Sequence, residues 1–192
     1  DSSGWEGVTR ILLAEGYPVV AASNPLRGVQ SDADYVSTVL NSIQGPIVLV
    51  AHSYGGMVIS NAVKDNSNVQ ALVYVDAFAP DAGESAFALS TLYPGSELGP
   101  ALVPVALPDG LNDLYIQQDK VPTVFAPDLP AGDAEWMAAT QRPVTDAALN
   151  EASGEPAWKT IPSWFIYGSL DLVIPPELLA FMAKRAPPLK QW

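Results

Sequence analysis

Residues 47–56 have the sequence IVLVAHSYGG, and their pattern indicates the fold class. Its first half is a continuous apolar run, which is typical of a parallel strand covered on both faces. Its second half is rich in glycine and leads into residues 55–63, where we predict a helix. A buried strand that turns directly into a helix is the repeating unit of an α/β sheet.

The same alternation extends to both sides of this unit. Apolar runs predict further strands at 17–22, 69–75 and 163–167. Helical spacing predicts helices from a Ser3–Glu6 capping box to Gly16, at 31–43, and from Pro176 onward. A chain of 192 residues suffices for one core but not for two, so we expect a single domain over residues 1–192.

Residues from Phe78 to about Thr160 break this rhythm with many prolines and two short helical segments, at 134–140 and 144–152. This pattern differs from the regular strand and helix alternation on either side of it. We therefore expect an insertion into the α/β sheet at about 78–160.

Charge and composition exclude several classes of function. Nine Lys and Arg residues oppose twenty-one Asp and Glu residues, and the net charge of −12 disfavours binding to nucleic acids or anionic membranes. The chain has no cysteine and one histidine, which excludes disulfides and any site that needs two imidazoles. No apolar run approaches the roughly 20 residues that span a bilayer. We expect a soluble, cytoplasmic protein, with secretion as the alternative, and no metal or organic cofactor.

Ser53 is the candidate nucleophile, since it follows the buried strand and precedes the helix. A serine at so sharp a turn needs small residues two positions before and after it, and Ala51 and Gly55 meet that need. The amide of Tyr54, at the start of the helix, would face a developing oxyanion. The alternative is an ordinary glycine-rich turn without catalytic function.

Asp171 is the candidate acid that orients a catalytic histidine, because it follows the strand at 163–167. Asp76, at the end of the strand at 69–75, is the rival acid, and either residue could instead stabilise its own loop. His52 adjoins Ser53, and adjacent side chains at such a turn diverge, so it is a poor base. We expect His52 to pack beneath the turn.

Five ordered segments carry a family resemblance: DSSGW at 1–5, VAHSYGGMV at 50–58, APDAGES at 79–85, MAATQRP at 137–143, and IYGSLD at 166–171 followed by IPP at 174–176. Together they resemble the bacterial α/β-hydrolases, in the branch of the salicylate-type methylesterases and hydroxynitrile lyases. The resemblance implies a mostly parallel α/β-hydrolase sheet with helices on both faces. It also implies that residues 78–160 form a lid, inserted after the strand that follows the nucleophile helix.

In this family the serine of the turn is the nucleophile, which corresponds to Ser53, and the acid corresponds to Asp171. Ala51 replaces the usual first glycine of the motif. The family's first central strand would precede Asp1, and its catalytic histidine would follow Trp192. We therefore expect the active polypeptide to extend beyond both residues.

These observations predict a serine hydrolase that cleaves a small carboxylic ester through an acyl-enzyme on Ser53. We expect the lid to form an apolar pocket over Ser53, lined by Trp136, Met137 and Leu149. Two alternatives share the fold. One is a non-catalytic, ligand-binding homologue, and the other is an enzyme with hydroxynitrile-lyase-like activity.

Overall fold

The structure is a computed structural model that describes residues 2–63 and 66–186. Its α-helices are α1 (Glu6–Ala14), α2 (Val29–Ser42), α3 (Gly55–Ala62), α4 (Ala86–Ser90), α5 (Leu98–Ala101), α6 (Ala131–Thr140), α7 (Asp146–Asn150) and α8 (Pro176–Ala183). Its strands are β1 (Ile47–Ser53), β2 (Val69–Ala77), β3 (Leu102–Ala106), β4 (Asn112–Ile116), β5 (Val144–Thr145) and β6 (Ser163–Ile166). None of the helices in the described part of the chain is long and apolar enough to cross a membrane.

The predicted parallel sheet is confirmed, with three strands in the order β1-β2-β6. One face of it is buried, and on this face Ala51 pairs with Tyr74, which pairs in turn with Phe165. The other face is open at Val48 and Ile166, both of which are exposed. The core therefore lies on one side of the sheet, where it includes residues of α2, α3 and α8.

Apolar spacing explains how α2 joins this core. Val29, Ala33, Val36 and Leu40 recur at intervals of three or four residues and are all buried. Asp32 lies on the same buried stripe and is fully buried as well.

Residues 102–145 contain a second sheet that the sequence did not predict. It is antiparallel, in the order β3-β4-β5, with Leu102 opposite Ile116. The two helices predicted within the expected insertion are confirmed as α6 and α7, with shifted ends.

Two local predictions were wrong. Residues 17–22 form no strand, because no described strand pairs with them and an isolated strand has no hydrogen-bonded partner. The Ser3–Glu6 capping box is not formed either. Residues Ser2–Trp5 form a 3-10 turn, and Trp5 takes the N-cap position of α1 without a side-chain cap.

Candidate active site

The turn between β1 and α3 holds Ser53 in a strained backbone conformation. Ser53 ends β1 with φ at 53°, in the left-handed region that L-residues other than Asn and Asp rarely adopt. Such a residue costs of order 1–3 kcal/mol and persists only where its surroundings enforce it. Here the carbonyl of Ser53 accepts a hydrogen bond of 3.2 Å from the amide of Phe78, at the exit of β2.

Glycines allow α3 to start so close to the sheet. A Cβ on Gly55 would lie 3.3 Å from the Cβ of Ala51, which agrees with the small residues that the sequence motif requires. Gly56 is more constrained, because its Cβ would lie 2.0 Å from the carbonyl oxygen of Phe78. The motif did not single out Gly56, although the Gly-Gly pair was visible in the sequence.

The carboxyl ends of β1, β2 and β6 meet at one edge of the sheet, and the candidate acids lie there. Asp76 sits at an irregularity in β2, where His52 pairs with Val75 but Ser53 pairs with Ala77. Its φ is 40°, and its Oδ1 accepts a hydrogen bond of 2.7 Å from the amide of Gly168. Asp76 thus connects the end of β2 to the loop after β6.

Asp171 lies in that loop and is half-buried. Its Oδ1 accepts hydrogen bonds from the amides of Val173, at 2.7 Å, and Ile174, at 3.0 Å. Burial, together with the nearby charge of Asp76, raises the pKa of Asp171 above its ordinary value despite these two bonds. Both amides bind the same oxygen, so Oδ2 can accept a hydrogen bond from another donor.

His52 occupies a different position from the one predicted. It is exposed rather than packed beneath the turn, because it belongs to the open face of the sheet. Its ring contacts the edge of Phe125, with centroids 6.4 Å apart, and interacts electrostatically with Asp76 and Asp171. In residues 2–63 and 66–186, no three His, Asp or Glu side chains are grouped as metal ligands.

Tyr54 is the N-cap of α3, where amides have no acceptor within the helix. Its side chain is buried and its hydroxyl donates a hydrogen bond of 3.1 Å to Oδ2 of Asp32. Burial and the negative charge of Asp32 raise the pKa of the Tyr54 phenol far above its ordinary value, so the hydroxyl stays protonated. No sequence motif pointed to Asp32, although a carboxylate on the apolar stripe of α2 was a signal.

The three residues predicted to line the pocket lie in different surroundings. Trp136 and Met137 are on α6, where Trp136 is exposed and Met137 is half-buried. Leu149, on α7, is half-buried and packs against the main core. Two residues of the 78–160 segment contact the site: the Phe78 amide donates to the Ser53 carbonyl, and the ring of Phe125 packs against His52.

Comparison with known proteins identifies the family of this chain. The model of the alpha/beta hydrolase family matches residues 1–189. A carbendazim hydrolyzing esterase from Nocardioides sp. (strain SG-4G) is 50% identical over 44 residues, which are 22% of this chain and 18% of that esterase.

Solved structures share the fold over nearly the whole chain. Polyneuridine aldehyde esterase has a TM-score of 0.79 at 15% identity, and the match covers 96% of this chain and 82% of that one. A pyrethroid hydrolase from Sphingobium faniae JZ-2 has a TM-score of 0.77 at 21% identity, covering 97% and 81%. The strained serine turn, the parallel sheet and the family match lead to one conclusion: this chain belongs to the alpha/beta hydrolase family.

Proposed function

We propose that this protein is a serine esterase that cleaves small carboxylic esters through an acyl-enzyme on Ser53. The observation that carries the proposal is the left-handed backbone of Ser53 at the junction of β1 and α3. Strain of this kind costs free energy and is concentrated at functional sites. The esterases among the similar proteins support the same reaction class.

In this mechanism the hydroxyl oxygen of Ser53 attacks the ester carbonyl carbon while a base removes its proton. The carbonyl oxygen becomes an oxyanion, to which the amide of Tyr54 donates a hydrogen bond at the start of α3. The alcohol then leaves with the proton from the base, and water hydrolyses the acyl-enzyme. Asp171 orients the base through its Oδ2.

We propose that the base is a histidine outside residues 1–192. His52 is the only histidine in these residues, and it precedes Ser53 directly on the strand. Successive side chains of a strand point to opposite faces, so the two residues diverge. The ring of His52 contacts Phe125. An intact-mass measurement on the active enzyme tests the position of the base. A turnover of about 10 per second from a chain that ends at Trp192 would contradict a histidine outside residues 1–192.

We further propose that the insertion is a lid whose Trp136, Met137 and Leu149 form the acyl pocket. Each methylene that a substrate gains in such a pocket contributes about 1–3 kcal/mol of discrimination. Alanine substitutions should therefore reduce activity on long-chain p-nitrophenyl esters more than on the acetate. An equal loss on every ester would show that these residues only support the fold.

The acyl-enzyme itself is the species to trap. We expect p-nitrophenyl acetate to give a burst of nitrophenol and an acetyl group that peptide mapping locates on Ser53. Ser53→Ala should abolish both, whereas Ser42→Ala, at the exposed end of α2, should change neither. Turnover that survives Ser53→Ala would refute the proposal.

A further inference from the structure

Asp32 is a carboxylate with no exposed surface in a chain whose other acids lie mostly at the surface. A buried charge is costly unless hydrogen bonds compensate it, so its partners identify what it stabilises. Two of them define the site. The Tyr54 hydroxyl donates to Oδ2 at 3.1 Å, and the amide of Arg27 donates to both oxygens at 3.1 and 3.2 Å.

The bond to Tyr54 reaches the reacting part of the enzyme. Tyr54 follows Ser53 directly, and its own amide is the oxyanion donor in the proposed mechanism. The phenol ring is buried, and its hydroxyl is held by Asp32 on α2. A bond at the far end of the buried side chain opposes rotation of the Tyr54 backbone away from the position next to the strained Ser53.

The bond to Arg27 connects the same carboxylate to the insertion. Arg27 precedes α2, and its carbonyl accepts a hydrogen bond of 2.9 Å from the Thr145 hydroxyl in β5. Its guanidinium donates to Asp113 in β4 at 2.6 Å and to the carbonyl of Pro143 at 2.8 Å. Asp32 therefore lies between the second sheet and the serine turn, and is oriented from both sides.

We propose that Asp32 is a positioning residue, which acts through the Tyr54 hydroxyl to hold the Tyr54 amide where the oxyanion forms. This proposal rests on the proposed function. It gives Tyr54 two roles, since its amide binds the oxyanion and its hydroxyl anchors the side chain to Asp32. If apolar packing alone held the ring, a phenylalanine at position 54 would be held equally well. The ionic hydrogen bond is what fixes the direction of the side chain, since such bonds are short and directional.

Tyr54→Phe is the main test, because it keeps the ring and removes only the hydrogen bond. We expect kcat for p-nitrophenyl acetate to fall by between about 10-fold and about 100-fold, with KM changed by less than about 3-fold. Loss of an oxyanion donor costs about 10²–10³ in kcat, and here the donor remains but is displaced. Affinity for a trifluoromethyl ketone, which forms a tetrahedral adduct on serine, should fall by the same factor.

Asp32→Asn removes the negative charge that accepts the Tyr54 hydroxyl and should have a similar effect. The double variant should be no slower than the slower single variant, because both changes weaken the same Tyr54–Asp32 bond. The matched controls are Asp34→Asn and Tyr35→Phe, two exposed residues of α2 that should leave kcat unchanged. A folded Tyr54→Phe enzyme with kcat and ketone affinity within about 3-fold of wild type would overturn the inference. Multiplicative effects in the double variant would do the same.

The wild-type enzyme separates this inference from the proposed function. If the wild type neither turns over the ester nor forms the ketone adduct, the proposed function fails and the inference falls with it. If the wild type does both while Tyr54→Phe matches it, only the role of Asp32 is refuted.

Discussion

Gly56 offers a severe test of the geometry at the serine turn. In Gly56→Ala the new Cβ would lie 2.0 Å from the carbonyl oxygen of Phe78 and 3.1 Å from the Cβ of Ala77. An ordinary carbon–oxygen contact is about 3.3 Å, so α3 and the exit of β2 must separate by about 1.3 Å. The obstructing atom is backbone, which cannot rotate away as a flexible side chain would.

The size of the effect follows from this displacement. Overpacking of this kind lowers the free energy of unfolding by about 1–3 kcal/mol, and we expect a value of about 3 kcal/mol here because the obstructing atom is backbone. At about 2–4 °C per kcal/mol for a chain of this size, the Tm should fall by about 6–12 °C. Because the movement separates the Tyr54 amide from the oxyanion position by about 1 Å, ester turnover should fall about 10²-fold.

Differential scanning calorimetry and p-nitrophenyl acetate hydrolysis measure the two effects. Gly132→Ala is the matched control, since Gly132 lies in α6 with no atom within 4 Å of an added Cβ. Alanine favours a helix over glycine by about 1 kcal/mol, so this variant should melt slightly higher and keep full activity. A Gly56→Ala protein that melts with the wild type and retains its turnover would refute the geometry described for the turn.

Three further predictions concern the strained serine and the two acids. Ser53→Gly should be more stable than Ser53→Ala by about 1–2 kcal/mol in chemical denaturation, because glycine adopts a φ of 53° without a Cβ penalty; equal stabilities would argue against strain. Asp171→Asn should lower kcat about 10⁴-fold. Because the pKa of Asp171 is raised in the folded state, ionisation of this carboxyl lowers the free energy of unfolding as pH rises above 3.8, and the Asn variant should lack this decrease. Asp76→Asn should lower the pKa of Asp171, followed by carboxyl NMR titration, and an unchanged or higher pKa would contradict the repulsion between them.

The elements that the sequence predicted well are those whose own periodicity specifies them. The apolar run of β1, the stripe of α2 and the strand β6 all formed close to the expected residues. Where their side chains meet the core, burial and spacing coincide. The apolar run of β1 indicated burial on both faces, but Val48 and Val50 on its other face are exposed. The position of Ser53 between β1 and α3 followed from the same information.

What the sequence did not predict depends on partners elsewhere in the chain. Residues 17–22 have the composition of a strand but form none, because strand formation needs a neighbour to pair with. The strand β3 was missed for the opposite reason, since it contains Pro104 and is mostly exposed, and pairing with β4 alone defines it. The Asp32–Tyr54 bond joins residues 22 positions apart, and no local motif encodes it.

Covalent labelling tests whether Ser53 is an activated nucleophile. The enzyme would be treated with a fluorophosphonate, which phosphonylates an activated serine and spares ordinary hydroxyls, and the modified peptide identified by mass spectrometry. We expect stoichiometric labelling of Ser53, with no labelling in Ser53→Ala and much slower labelling in Asp171→Asn. A folded, ester-hydrolysing protein that stays unlabelled, or is labelled at another serine, would contradict it.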